Sequence, residues 1–318
     1  MRALRFSAFG GPDVLSVEDV PAPTPGAGEV VVEVHAGGLN FADTERRRGL
    51  YLANEPLPET SGFEGAGVVT ELGDGVAAEW RGRRVAFIAP RAHAERCVVP
   101  VHKLMALPDA LDFVQGAAFP VQGLTAWHVL HTLGRVQPGE VVLVHSAAGG
   151  VGRLLVQLAV EAGATVIGSV SREAKAAQVV GAHHVFARGP AFADEVRRVA
   201  PGGVTLVVEG VGADVALETP RLLAPLGRWV TFGTASGPVP AFDLETLYEK
   251  SVTVSAFWLR TALPREVAAR AEREVLARWV DGRLRQSVTE CPLEDAARAH
   301  RRLEAGLTTG KWVLRVRG

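Results

Sequence analysis

Val141-Val-Leu-Val-His-Ser-Ala-Ala-Gly-Gly-Val-Gly152 decides the fold. Four apolar residues make a buried-strand pattern, the glycines make a turn, and apolar residues at helical spacing follow from Val151 to Ala162. As a dinucleotide fingerprint the turn is A-x-G-x-x-G. Ala147 replaces the first glycine, Gly149 lets backbone approach a pyrophosphate, and Gly152 lets helix and strand pack closely. Ala148, Gly149, Gly150, Val151 and Gly152 would then present N–H groups, at the positive end of a helix dipole, to the phosphates. Without a ligand the same pattern is only a tight strand-to-helix turn. The strand before it, the helix after it and a further strand at Thr165 favour the dinucleotide site.

Outward from that loop, helices alternate with short apolar runs from about residue 115: Thr165-Val-Ile-Gly168, Thr205-Leu-Val-Val208 and Trp229-Val-Thr-Phe232. Such alternation predicts a parallel, doubly wound sheet. The first third differs. Val30 to Val34 and Gly65 to Leu72 are β-like runs punctuated by Pro and Gly, so an irregular β-rich domain is expected there. Pro264 to Val280 reads as an exposed amphipathic helix, and Lys311-Trp-Val-Leu-Arg-Val316 as a strand that could rejoin the first domain. The junction of two such domains is the default place for a site.

The 318 residues suit two domains, and 47% hydrophobic with 22% charged residues is a globular balance. The 34 Lys plus Arg nearly cancel 35 Asp plus Glu, so no overall field draws the chain to nucleic acid or to an anionic membrane. Its only cysteines, Cys97 and Cys291, lie far apart and cannot build a disulfide framework or a Cys-rich zinc lobe. A soluble protein in a reducing, cytoplasmic setting fits, since neither a signal peptide nor a membrane span is visible.

The second strand bears on cofactor choice. An NAD site usually ends it with an acid for the ribose 2′-hydroxyl; here it ends Gly168-Ser-Val-Ser-Arg-Glu-Ala-Lys175. Ser171, Arg172 and Lys175 suit a 2′-phosphate, which favours NADP. Two alternatives stand beside this: a two-residue register shift would make Glu173 the acid, or the charges are only a solvated first helical turn.

Several stretches in order along the chain resemble the zinc-independent medium-chain dehydrogenase/reductase superfamily, specifically its NADPH:quinone oxidoreductase group. They are Gly38-Leu-Asn-Phe-Ala-Asp-Thr44, Gly49-Leu-Tyr51, Gly62-Phe-Glu-Gly-Ala-Gly-Val-Val69, Ala118-Phe-Pro-Val-Gln-Gly-Leu-Thr-Ala126, the glycine loop, and Thr309-Gly-Lys311. The resemblance implies an α/β protein with a GroES-like β-barrel domain (residues 1–118 and 260–318) and an inserted Rossmann domain (119–259). It also implies a homodimer joined through the sheet edge at Ser251-Val-Thr-Val-Ser-Ala-Phe257. Where zinc-dependent relatives carry Gly-His-Glu and a Cys ligand, this chain has Phe63 and, near the Cys position, Asn40. No catalytic metal is therefore expected.

By the same resemblance, Asn40 and Tyr51 stand near the nicotinamide and acceptor, Thr125 lies against the cofactor, and Phe232, Gly233, Phe257 and Lys311 complete the cofactor site. Asn40 could equally cap the helix that starts near Phe41, and Tyr51 and Phe257 could simply pack. Glu45 occupies a position where several quinone reductases carry Tyr. The expected reaction is metal-free hydride transfer from NADPH to a quinone or similar electron-poor acceptor, with Tyr51 donating a hydrogen bond to the acceptor oxygen. An enoyl or 2-alkenal reductase is the alternative, and a non-catalytic NADPH-binding protein the alternative of another class. His128, His131, His183 and His184 read as structural, and Arg46-Arg-Arg48 as a solvated helix face.

Overall fold

The apolar run before the glycine loop is a strand, Val141–Val144, inside a six-stranded parallel sheet. The computed structural model describes residues 1–54, 56–238, 244–261 and 263–317. Across the sheet the strands are His184–Ala187, Thr165–Val170, Val141–Val144, Val204–Glu209, Leu223–Thr231 and Thr253–Ala256. Numbered from Val141–Val144, that order is 3-2-1-4-5-6, the doubly wound arrangement whose direction reverses between strands 1 and 4. The inner strands are continuous apolar runs because helices cover both faces. Leu143, Ile167, Val204, Val207 and Trp229 bury against Phe192 and Val196 of the helix Phe192–Val199, each contributing about 1.5–3 kcal/mol.

Two compact units are present, Met1–Val121 with Gln286–Gly318, and Gln122–Arg285. The first sequence boundary lies three residues earlier, but the second needs correction. Residues 260–285, assigned above to the β-rich domain, belong to the nucleotide-fold unit. The reason is the helix Arg265–Val280, which buries Ala271, Val275 and Trp279. Its Arg278 also lies 5.1 Å from the Trp127 ring centre and donates to Glu161 at 2.8 Å. Four arginines made this helix read as exposed; one of them is half-buried glue.

The other unit is organised by the eleven-residue strand Glu29–Leu39. It pairs along its length with Glu64–Leu72, while its two halves take different partners on the other side: Arg96–Pro100 opposite residues 29–33, and Lys311–Arg315 opposite residues 36–39. Register shifts at Val31/Val32 and Val34/Ala36 interrupt its ladder with Glu64–Leu72, the kind of bulge that bends a strand and lets it serve two partners. The C-terminal strand thus rejoins the first domain, giving the GroES-like unit. No helix among the described residues is long and apolar enough to cross a membrane.

Candidate functional site

In the nucleotide-fold unit every candidate residue of the strand ends stands at the carboxyl edge of the parallel sheet, where open α/β folds bind ligands. The helix after the loop is Gly150–Glu161, and no side chain caps it at Gly149. Gly152 is forced: a Cβ there would lie 2.2 Å from the Ser146 carbonyl oxygen, a backbone atom that cannot yield. At Gly150 a Cβ would overlap the Gln122 amide. Ala147, standing where the fingerprint has its first glycine, is tolerated because Gly168 faces it; a Cβ on that residue would come within 2.9 Å of the Ala147 Cβ.

Thr165–Val170 ends just before Ser171 and Arg172, both exposed, and Lys175 sits half-buried in the short helix Glu173–Gln178. Burial lowers the Lys175 pKa, and the charges of Arg172 and Arg188 add to that. Arg188 was not foreseen. It follows the strand His184–Ala187, which lies half-buried at the edge of the sheet and begins on a histidine. Farther along the edge, Phe232 and the exposed Gly233 follow Leu223–Thr231. Phe257 is buried after Thr253–Ala256, its ring 5.3 Å from that of His128. Thr125 is buried on the helix Pro120–Trp127. Burial pushes the His128 imidazole down to about 4, and its Nδ1 lies 2.9 Å from Thr132 Oγ1, a packed and neutral ring.

In the GroES-like unit the helix Phe41–Arg47 begins after Asn40, whose own N–H donates to the Asp43 carboxylate at 2.7 Å. The Asn40 side chain is tied inward at both ends. Its Nδ2 donates to Glu64 Oε1 at 2.7 Å, and its Oδ1 accepts from Lys311 Nζ at 2.8 Å. Lys311 also donates to Glu64, and Glu64 Oε2 accepts the Val121 N–H at 2.7 Å. Both charged side chains are 0% exposed. Lys311 Nζ is therefore buried between Glu64 and Asn40. One N–H and one lone pair of the Asn40 amide remain unspent by these bonds.

Glu64 is the residue that inspection of the sequence passed over, although a carboxylate inside the apolar run 62–69 needs a buried cation, and Lys311 inside the apolar run 311–316 is one of only four lysines. Asp43 beside it is raised to about 7, first by burial and also by Glu64, against Asn40, Lys311 and Gly62. Tyr51 is half-buried with its ring edge-on to Phe63, 5.7 Å between centres at 85°. Glu45 is raised by burial. Arg46 and Arg47 are not a solvated face: they are 2% and 0% exposed, Arg46 pairing with Glu59 and Arg47 with Glu304 and the Gly10 carbonyl.

Among the described residues no group of three or more His, Cys, Asp or Glu could hold a metal. Comparison with known families matches residues 26–109 to the alcohol dehydrogenase GroES-like domain and residues 150–277 to zinc-binding dehydrogenase. The 2-haloacrylate reductase of a Burkholderia species is 36% identical, over 96% of each chain. The quinone oxidoreductase of Pseudomonas aeruginosa is 38% identical, over 98% of this chain and 99% of that one. The structure of Escherichia coli quinone oxidoreductase complexed with NADPH superposes with a TM-score of 0.94 at 33% identity, over 99% of this chain and all of that one.

Proposed function

Because the chain belongs to the quinone oxidoreductase group of the medium-chain dehydrogenase/reductase superfamily, we propose that it is an NADPH-dependent reductase of quinones or similarly electron-poor acceptors. The observation that carries this is the glycine loop at the switch point of a 3-2-1-4-5-6 sheet, in a chain that matches an NADPH-complexed quinone oxidoreductase from end to end.

NADPH, when bound, supplies a hydride to the acceptor. The loop residues 148–152 would hold its pyrophosphate through backbone N–H groups, and Ser171, Arg172 and Lys175 its 2′-phosphate. Thr125, Phe232, Gly233 and Phe257 would line the cofactor site, and Asn40, oriented by Lys311 and Glu64, would offer its remaining N–H beside the nicotinamide. Tyr51 would donate to the acceptor oxygen as negative charge develops there.

A zinc ion does not fit the residues present. Asn40 and Phe63 stand where a thiolate and an imidazole would be needed, and Asn40 is already bonded at both ends of its amide. The donor set supports a metal-free reaction. Thr253–Ala256 is an edge strand with exposed Val254, flanked by exposed Leu226, Tyr248 and Trp258, which supports a homodimer built by strand addition. Both cysteines are free and buried, in keeping with a reducing, cytoplasmic location.

Reduction of an activated carbon–carbon double bond is the second reading, favoured by the likeness to 2-haloacrylate reductase. Loss of NADPH absorbance on addition of a 1,4-quinone, compared with an enone at equal concentration, separates the two. Faster loss with the quinone supports the first; loss with the enone alone moves the protein to the alkene reductases. Purified protein that binds NADPH and consumes it with neither would make it a binding protein.

A further inference from the structure

Three buried groups at the carboxyl edge of the parallel sheet have hydrogen-bonding capacity that the described residues do not use: Arg188 Nη1, His145 Nε2 and Glu209 Oε1. Two have a structural part to play. His145 Nδ1 lies 2.8 Å from Ser169 Oγ, and Glu209 Oε2 accepts the Val211 and Gly212 N–H groups at 2.7 and 2.9 Å. Arg188 Nη1 has no such bond among the described residues, and its place in the sheet points to a ligand. Val170 pairs with Ala187, and the Arg188 N–H donates to the Val170 carbonyl at 2.8 Å. Ser171 and Arg188 therefore leave the sheet side by side.

That level of the second strand is where a doubly wound fold meets the ribose 2′ position of its dinucleotide. We propose that Arg188 is a specificity-determining residue for the 2′-phosphate, a third cation converging with Arg172 and Lys175 on that dianion. The inference rests on the NADPH reading above. The electrostatics agree with it: burial lowers the Arg188 pKa, Glu209 opposes that, and the Arg172 and Arg188 charges together lower Lys175. A cluster of three cations is self-repelling, and the Glu209 carboxylate offsets Arg188. An incoming phosphate relieves the repulsion by accepting from the guanidinium fork.

Calorimetric titration with NADPH, NADH, 2′,5′-ADP and 5′-AMP tests this on the wild type, Arg188→Gln and Arg188→Lys. Arg188→Gln is expected to weaken NADPH and 2′,5′-ADP by about 10-fold or more while NADH and 5′-AMP change less than about 2-fold, with Arg188→Lys between. Unaltered NADH binding also certifies the fold of the variants. Equal weakening of NADPH and NADH, or no weakening of either, overturns the assignment of Arg188. Wild-type protein that binds NADPH no better than NADH overturns the cofactor reading itself, and Arg188 with it.

Discussion

Lys311 Nζ donates to Asn40 Oδ1 at 2.8 Å, joining the last strand of the chain to the start of its first helix across 271 residues. The same ammonium faces Glu64, so one buried cation neutralises a buried carboxylate and fixes the orientation of an amide. Lys311→Met would leave Glu64 charged, buried and unpaired, and should cost about 3–5 kcal/mol in denaturant unfolding. Adding Glu64→Gln to it should recover most of that loss. Turnover should stay depressed in the double variant, because Asn40 Oδ1 loses the ammonium that orients it and Nδ2 keeps only a neutral amide oxygen as its acceptor. Recovery of both stability and turnover would reduce the network to a structural pair.

Gly152→Ala places a methyl 2.2 Å from the Ser146 carbonyl, so the loop must move away from the helix start. NADPH affinity should fall by about 10-fold or more, with a stability loss of about 1–3 kcal/mol. Binding within twofold of wild type would mean that the loop does not hold the phosphates.

How much of this was legible in the sequence depends on how local the cause is. Strands 141–144, 165–170 and 204–209 announce themselves because parallel strands buried on both faces are mostly apolar, and the loop because Gly150 and Gly152 are sterically forced. His184–Ala187 does not, being half-buried at the sheet's edge. Arg46 and Arg47 were misjudged since the carboxylate and carbonyl partners that bury them come from residues 59, 304 and 10. The Asn40–Glu64–Lys311 network is hidden for the same reason: each residue looks ordinary in its own segment, and only the pairing of Lys311–Arg315 with Glu29–Leu39 brings them together.

Histidines set the acid limit of stability. Burial lowers His93 to about 4 and both His145 and His300 to about 3. Groups whose pKa is depressed by folding contribute stability that is present above about pH 6.5 and lost as pH falls toward 4, at about 1.4 kcal/mol per pH unit for each. Asp43, raised to about 7, works the opposite way between pH 4 and 7, but one group cannot cancel these three and His128, which burial also lowers to about 4. Thermal unfolding should therefore drop steeply between pH 6.5 and 5. Neither ring nitrogen of His300 has a hydrogen-bond partner among the described residues, so His300→Leu should raise the midpoint at pH 5 and flatten the slope. An unchanged slope would show that His300 does not titrate on unfolding.

Tyr51→Phe removes one hydroxyl and keeps the ring against Phe63. Turnover with a quinone should fall by about 10-fold with NADPH affinity unchanged, the mark of a bond made to the developing oxyanion alone. An unchanged rate removes Tyr51 from the reaction.

The most direct test of the central claim is quinone-dependent oxidation of NADPH and NADH, each as a function of cofactor concentration, by the purified wild-type protein. The account predicts rapid turnover with NADPH and a much lower kcat/KM with NADH, because Ser171, Arg172 and Lys175 stand where an NAD site has its acid. Equal or better use of NADH would contradict it and make Glu173 the residue that meets the ribose.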